Sequence, residues 1–156
     1  LVDRHAALRT TVKLVDGEAA QTVQPSGTYS YQEFAMLGCS EEELNAAVKS
    51  AYDKPFNLDK DPVLRIDIFQ TGSNVNIILI TMHHVFGDAA SITLLGNELL
   101  TLYHAELSGE KATLPPLPKN YADFVRAEAA MLENEKGQDL EKFWQERLGG
   151  DTPILK

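Results

Sequence analysis

The stretch Val75-Asn76-Ile77-Ile78-Leu79-Ile80-Thr81-Met82-His83-His84-Val85-Phe86-Gly87-Asp88-Ala89 decides the reading of this chain. Its first eight residues are apolar on both alternating faces, the pattern of a strand in a sheet covered on both sides. Two imidazoles and a carboxylate follow at once. An unpaired buried polar group costs about 2 to 7 kcal/mol depending on reference state, so these side chains either satisfy one another or face a cavity. Consecutive residues of an extended strand point to opposite faces. His83 and His84 therefore serve different purposes, one anchored in the scaffold and the other open to a cavity, with Asp88 curled back to orient a ring or bind an arginine.

Outward from this stretch, Val63 to Thr71 reads as the partner strand, joined to Val75 to Met82 by Gly72-Ser73-Asn74. Upstream, Pro55 and Pro62 bracket the loop Phe56 to Asp61. Ser40-Glu41-Glu42-Glu43 is a capping box that starts a helix running to about Tyr52. Leu8 to Val15 and Glu18 to Gln24 form another hairpin across Asp16-Gly17, and the chain opens on Leu1 to Leu8 as though inside a helix. Downstream, Ile92, Leu95, Leu99, Leu102 and Tyr103 recur at the spacing of an amphipathic helix from Ser91 to about Leu107, one face on the sheet. Ser91 reads as its N-cap. Gly109 and Leu114-Pro115-Pro116-Leu117-Pro118 end it in an extended connector, and Tyr121 to Glu133 and Gln138 to Leu148 read as two further helices. The fold class is α+β, a mixed sheet covered by helices.

Composition bounds the function. The 156 residues are 44% hydrophobic and 24% charged, ordinary globular usage. Net charge is -9, from 14 basic and 23 acidic residues, and no basic run appears, so nucleic acid is not an expected partner. The single cysteine, Cys39, allows no internal disulfide, and no apolar run is long enough for a membrane span. A reducing, cytoplasmic compartment fits these features. No metal is expected, since His5 and His104 form no ligand pattern with the histidine pair. Ser91 as a nucleophile lacks a G-x-S-x-G elbow.

His83-His84-Val85-Phe86-Gly87-Asp88-Ala89 resembles the HHxxxDG motif of the condensation domains of nonribosomal peptide synthetases, which share the chloramphenicol acetyltransferase-like fold. Arg4-His5-Ala6-Ala7-Leu8-Arg9-Thr10 resembles that family's RHxxLRT segment. Phe56-Asn57-Leu58 with Pro62-Val63-Leu64-Arg65, Leu117 to Phe124, and Phe143-Trp144-Gln145-Glu146-Arg147-Leu148 resemble further segments in the same order. The resemblance implies acyl transfer between carrier-bound thioesters with formation of a peptide bond. It makes His84 the histidine of the reaction channel, His83 the structural one, and Asp88 the partner of Arg4 in preference to Arg9 or Arg65. Arg9, Gly87, Ala89 and Ser91 would support the site, with the helix begun at Ser91 lending its dipole to a developing oxyanion. Ala89 stands where the motif has Gly, a small-for-small change.

The resemblance also implies that residues 1-156 are an N-terminal lobe, incomplete at both ends, lacking its C-terminal lobe and poorly active alone. No cofactor is expected on the domain itself, because the substrates ride on the phosphopantetheine arms of carrier proteins. The implied partners are donor and acceptor carrier-protein domains and an adjacent adenylation domain. A lobe at -9 is not an evident electrostatic match for acidic carriers, so docking would rely on local patches or on the other lobe. The same motif serves epimerisation, ester formation and starter acylation, and a noncatalytic carrier-docking lobe is the reading from a different class.

Overall fold

In the computed structural model, which describes residues 1-150, the chain divides into two compact units, Leu1–Pro115 and Pro116–Lys156. The division falls inside the proline connector.

The first unit holds five strands and two α-helices. β1 (Thr10–Val15) and β2 (Glu18–Val23) form an antiparallel hairpin with Val15 opposite Glu18. Asp16 and Gly17, at φ of 52° and 86°, make the left-handed two-residue turn that matches strand twist. The opening is a turn followed by a short 3-10 helix, Ala6–Arg9, rather than a longer helix.

β3 (Ser30–Ala35), β4 (Leu64–Gly72) and β5 (Val75–Met82) form a mixed sheet in that order, parallel between β3 and β4 and antiparallel between β4 and β5. The patterning assigns no element to Ser30–Ala35; its strand is created by pairing with β4. α1 (Glu41–Asp53) makes the crossover that a parallel pair requires. Its capping box is the expected one: Ser40 Oγ accepts the Glu43 N–H at 3.2 Å, and Glu43 Oε2 accepts the Ser40 N–H at 2.8 Å.

On one face of the sheet lies Phe69, fully buried and stacked on Phe34 with centroids 4.8 Å apart. Arg65 and Asp67 share its alternation, and both are buried. Leu64, on the other face, joins Leu8, Val63 and Phe86 in the core, with Ile66, Met82 and Leu95 packed against them. β5 departs from expectation. It is an edge strand, and Val75, Ile78 and Ile80 are 61%, 58% and 40% exposed.

α2 (Ala89–Ser108) begins two residues before the expected start, because Asp88 and not Ser91 is the N-cap. Gly109, at φ 68°, ends it with its N–H on the Ala105 and Glu106 carbonyls. Between α2 and the sheet lies a cavity of 430 Å³, lined by Leu64, Ile66 and Ile80 from below and Ile92, Leu95 and Leu99 from above. On the helix face expected to close on the sheet, Ile92 and Leu99 remain 46% and 39% exposed, so that face is only partly covered.

The second unit contains α3 (Tyr121–Leu132) and α4 (Glu135–Leu148), the latter starting three residues before the expected Gln138. Asn120 and Asn134 cap them. Gly137 is buried where a Cβ would stand 2.1 Å from the Leu132 carbonyl oxygen, so only glycine lets α4 start so close to the end of α3. Of the expected incomplete C-terminal end, Gly149 to Lys156, residues 151-156 lie outside the described residues.

Candidate active site

The loop after β5 is built on a buried anchor. Phe86 inserts into the core with Leu8, Val63 and Leu64, and its N–H donates to the His83 carbonyl at 3.0 Å. The chain therefore turns at His83 to Phe86. His83 is half-buried, edge-on to Phe56 at 6.1 Å and to Phe86 at 6.4 Å. Its Nδ1 accepts the Val85 N–H at 3.2 Å, which leaves the ring proton of the neutral imidazole on Nε2. His84 is exposed.

Phe56 is itself held. The Arg65 guanidinium lies 3.6 Å over its ring and donates from Nη2 to the Lys54 carbonyl at 2.6 Å. Arg65 thus braces His83 through an aromatic ring and does not meet Asp88. Arg65 Nη1 is buried with no hydrogen-bond partner among the described residues, as is Thr81 Oγ1 on the neighbouring strand.

Gly87 sits where its Cα approaches two neighbours closely. A Cβ there would lie 2.4 Å from Met82 Cε and 3.0 Å from Ser91 Cβ. Asp88 then closes the loop onto α2: its Oδ1 accepts the Ser91 N–H at 2.9 Å and the Ser91 hydroxyl at 2.8 Å. The Ser91 N–H, then the Ser91 hydroxyl, hold the Asp88 carboxyl below its usual range. This capping changes the expected electrostatics. The helix start that was to face a developing oxyanion is already occupied by a carboxylate. Ala89, in the motif's glycine position, is the first residue of α2.

Arg4 does not pair with Asp88. Its Nη2 lies 3.0 Å from Glu98 Oε1, and its Nε donates to both Glu98 oxygens at 3.1 and 3.2 Å. His5 Nε2 is 2.7 Å from Glu98 Oε2. Burial pushes the Glu98 carboxyl up, but hydrogen bonds from His5 and Arg4 outweigh it and hold the group below its ordinary value. Arg4 also donates to the Pro115 carbonyl. Arg9 is placed elsewhere, bonding the Gln24 carbonyl at the base of the β1–β2 hairpin.

The structure therefore gathers His83, His84, Gly87, Asp88, Ala89 and Ser91 at one loop, and moves Arg4 and Arg9 to other tasks. Sequence reasoning missed Glu98. It sits three residues after Leu95 and four before Leu102, inside the apolar stripe of an amphipathic helix. A charge in that stripe was the available signal. Among the described residues, no cluster of three or more His, Cys, Asp or Glu side chains is placed to hold a metal ion, and no helix is long and apolar enough to cross a membrane.

A family model described as "Condensation domain" matches residues 1–156. Bacitracin synthase 3 of Bacillus licheniformis is 31% identical over 155 residues, 99% of this chain and 2% of that protein. Surfactin synthase subunit 1 of Bacillus subtilis (strain 168) is 34% identical over 155 residues, 99% of this chain and 4% of that protein. The chain thus spans a small fraction of these relatives. Among solved structures, SgcC5 of Streptomyces globisporus superposes with a TM-score of 0.83 at 24% identity over 98% of this chain and 35% of its own. The epimerization domain from the third module of tyrocidine synthetase B gives 0.81 at 19% identity, over 99% of this chain and 36% of its own. With its α+β architecture and its histidine pair leaving a sheet edge, the chain belongs to the condensation-domain family of nonribosomal peptide synthetases.

Proposed function

We propose that this chain is the N-terminal lobe of a condensation domain and supplies the histidine loop for forming a peptide bond between two carrier-bound thioesters. The α-amine of the acceptor aminoacyl thioester attacks the donor carbonyl. A C–N bond forms, the C–S bond breaks, and the donor's phosphopantetheine thiol leaves with a proton. His84 receives the hydrogen bond of the attacking amine and takes its proton as the bond forms. An exposed α-amine titrates at about 7.7 to 8.0, so much of the work is orientation of an amine that is already partly neutral. His83 holds the loop, and Gly87 and Asp88 fix its exit into α2.

The observation that carries this reading is an exposed His84 beside a fixed His83, in a chain matched along its whole length by the family. Donor and acceptor carrier domains, an adenylation domain and a C-terminal lobe are the partners it implies. The test is His84→Ala in the full-length protein, with both carriers loaded and product measured in a single turnover. General-base loss predicts a fall of about 10²- to 10⁴-fold. Unchanged yield would instead favour a noncatalytic docking lobe, and loss of an α-deuterium without bond formation would favour epimerisation.

A further inference from the structure

α2 runs for 20 residues, and the one residue it buries is a carboxylate, Glu98. Its apolar face lines a half-open 430 Å³ pocket against the sheet, and Ile92 and Leu99 on it are 46% and 39% exposed. Apolar contact therefore defines the helix's rotation and axial position poorly, since such contact is non-directional. The Glu98 cluster is directional. Arg4 and His5, adjacent in the opening segment, converge on its two oxygens at 2.7 to 3.2 Å, and the Glu98 side chain is 6% exposed. A carboxylate withdrawn from water this far persists only with such partners, and the same requirement fixes where the helix sits.

The N-terminal end of α2 carries the loop, and Glu98 sits at the helix's middle. Asp88 caps it, Gly87 packs on Ser91, and His84 lies four residues before the cap. Glu98 is nine residues on from Ala89, about 14 Å along the axis at 1.5 Å per residue, so a turn or slide at Glu98 passes along a continuous helix to the loop.

We infer that Glu98 is a positioning residue: clamped by Arg4 and His5, it sets the rotation and height of α2 and through it the placement of His84. This rests on the reading of His84 as the group that meets the attacking amine. Near an attacking atom, a displacement of about 1 Å costs about 10²-fold.

The test uses the full-length protein with Glu98→Gln, His84→Ala and the two combined. Glu98→Gln should lower the single-turnover rate by about 10²-fold with KM for each loaded carrier within about twofold. Glu98→Asp, which keeps the charge, should recover at least tenfold of the loss. In the His84→Ala background, Glu98→Gln should have no further effect, because two changes acting on one group are not additive. If Glu98→Gln does not accumulate folded, His5→Gln carries the same test with Arg4 left in place. Losses that multiply in the double variant would overturn the inference, as would a Glu98→Gln rate within threefold of the parent while His84→Ala is inactive. A His84→Ala rate equal to the parent's would instead remove the reading beneath it.

Discussion

Replacing Gly87 by Ala adds one methyl group at the tightest point of the histidine loop. The two contacts it meets differ in kind. Met82 Cε, 2.4 Å from the new Cβ, is the end of a flexible side chain and swings aside. Ser91 Cβ, at 3.0 Å, is carried by the α2 backbone and yields only if the loop moves by a few tenths of an ångström. Overpacking of this kind costs about 1 to 3 kcal/mol. With a urea slope of about 1 to 3 kcal/mol/M, the unfolding midpoint should fall by about 1 M. Turnover should fall about tenfold, less than the 10²-fold of a full 1 Å misplacement. Met82→Ala in the same chain removes only the contact that yields cheaply, so the double variant should lose close to the sum of the single losses, within about 0.5 kcal/mol. A Gly87→Ala protein that unfolds at the parent's midpoint and turns over at its rate would refute the close-packing argument. Recovery of most of the loss in the double variant would show that Met82, and not Ser91, carries the cost.

Phe69→Ala removes the fully buried ring stacked on Phe34 and should cost about 3 to 5 kcal/mol, read by urea unfolding. The Asp88 carboxyl is held below its ordinary value in the folded chain, so its stabilisation is present above the unfolded value of about 3.9 and is lost as pH falls through the lower folded value. Asp88→Asn, which keeps an acceptor oxygen but cannot titrate, should flatten that part of the acid-unfolding profile. Gly17→Ala, at φ 86°, should lower stability by about 1 kcal/mol with turnover unchanged, because the hairpin turn is remote in sequence from the histidine loop. Ile78→Lys on the exposed edge strand should reduce self-association of the 156-residue chain in sedimentation, since charge on an edge blocks strand pairing between molecules.

What was legible in the sequence was local. The Asp16-Gly17 turn, the Ser40 capping box and the Gly109 stop each rest on a few neighbouring residues whose chemistry is the same in a peptide as in a fold. Ser30–Ala35 was not legible. Its two aromatics, Tyr31 and Phe34, stand three positions apart with Gln32 and Glu33 between them, so no period-two pattern marks it, and its partner lies 35 residues away, Ser30 beside Arg65. The apolar content of β5 foretold burial on both faces, yet its position at the edge of three strands leaves much of it exposed. The histidine loop is legible as a run of neighbouring residues, while its supports depend on distant contacts. Asp88 and Ser91 are both capping residues and only backbone geometry chooses between them. The partner of Arg4 lies 94 positions on, hidden as a charge within an apolar stripe.

The parallel pairing of β3 has a consequence for how the chain is made. β4 and β5 meet across Ser73-Asn74, while β3 pairs with residues 35 positions away. Loop closure costs about 0.6 kcal/mol per doubling of length, so the hairpin closes with an advantage of about 2 kcal/mol. During synthesis β3 emerges first, and at about 5 to 20 residues per second it waits about 2 to 7 s for β4. α1, self-capped, forms and frays many times within that wait, on a scale of about a microsecond. Phe34 spends the interval without Phe69 to stack on. Slow codons between Lys54 and Gln70 would lengthen that interval and lower the yield of folded chain, even though the protein sequence is unchanged.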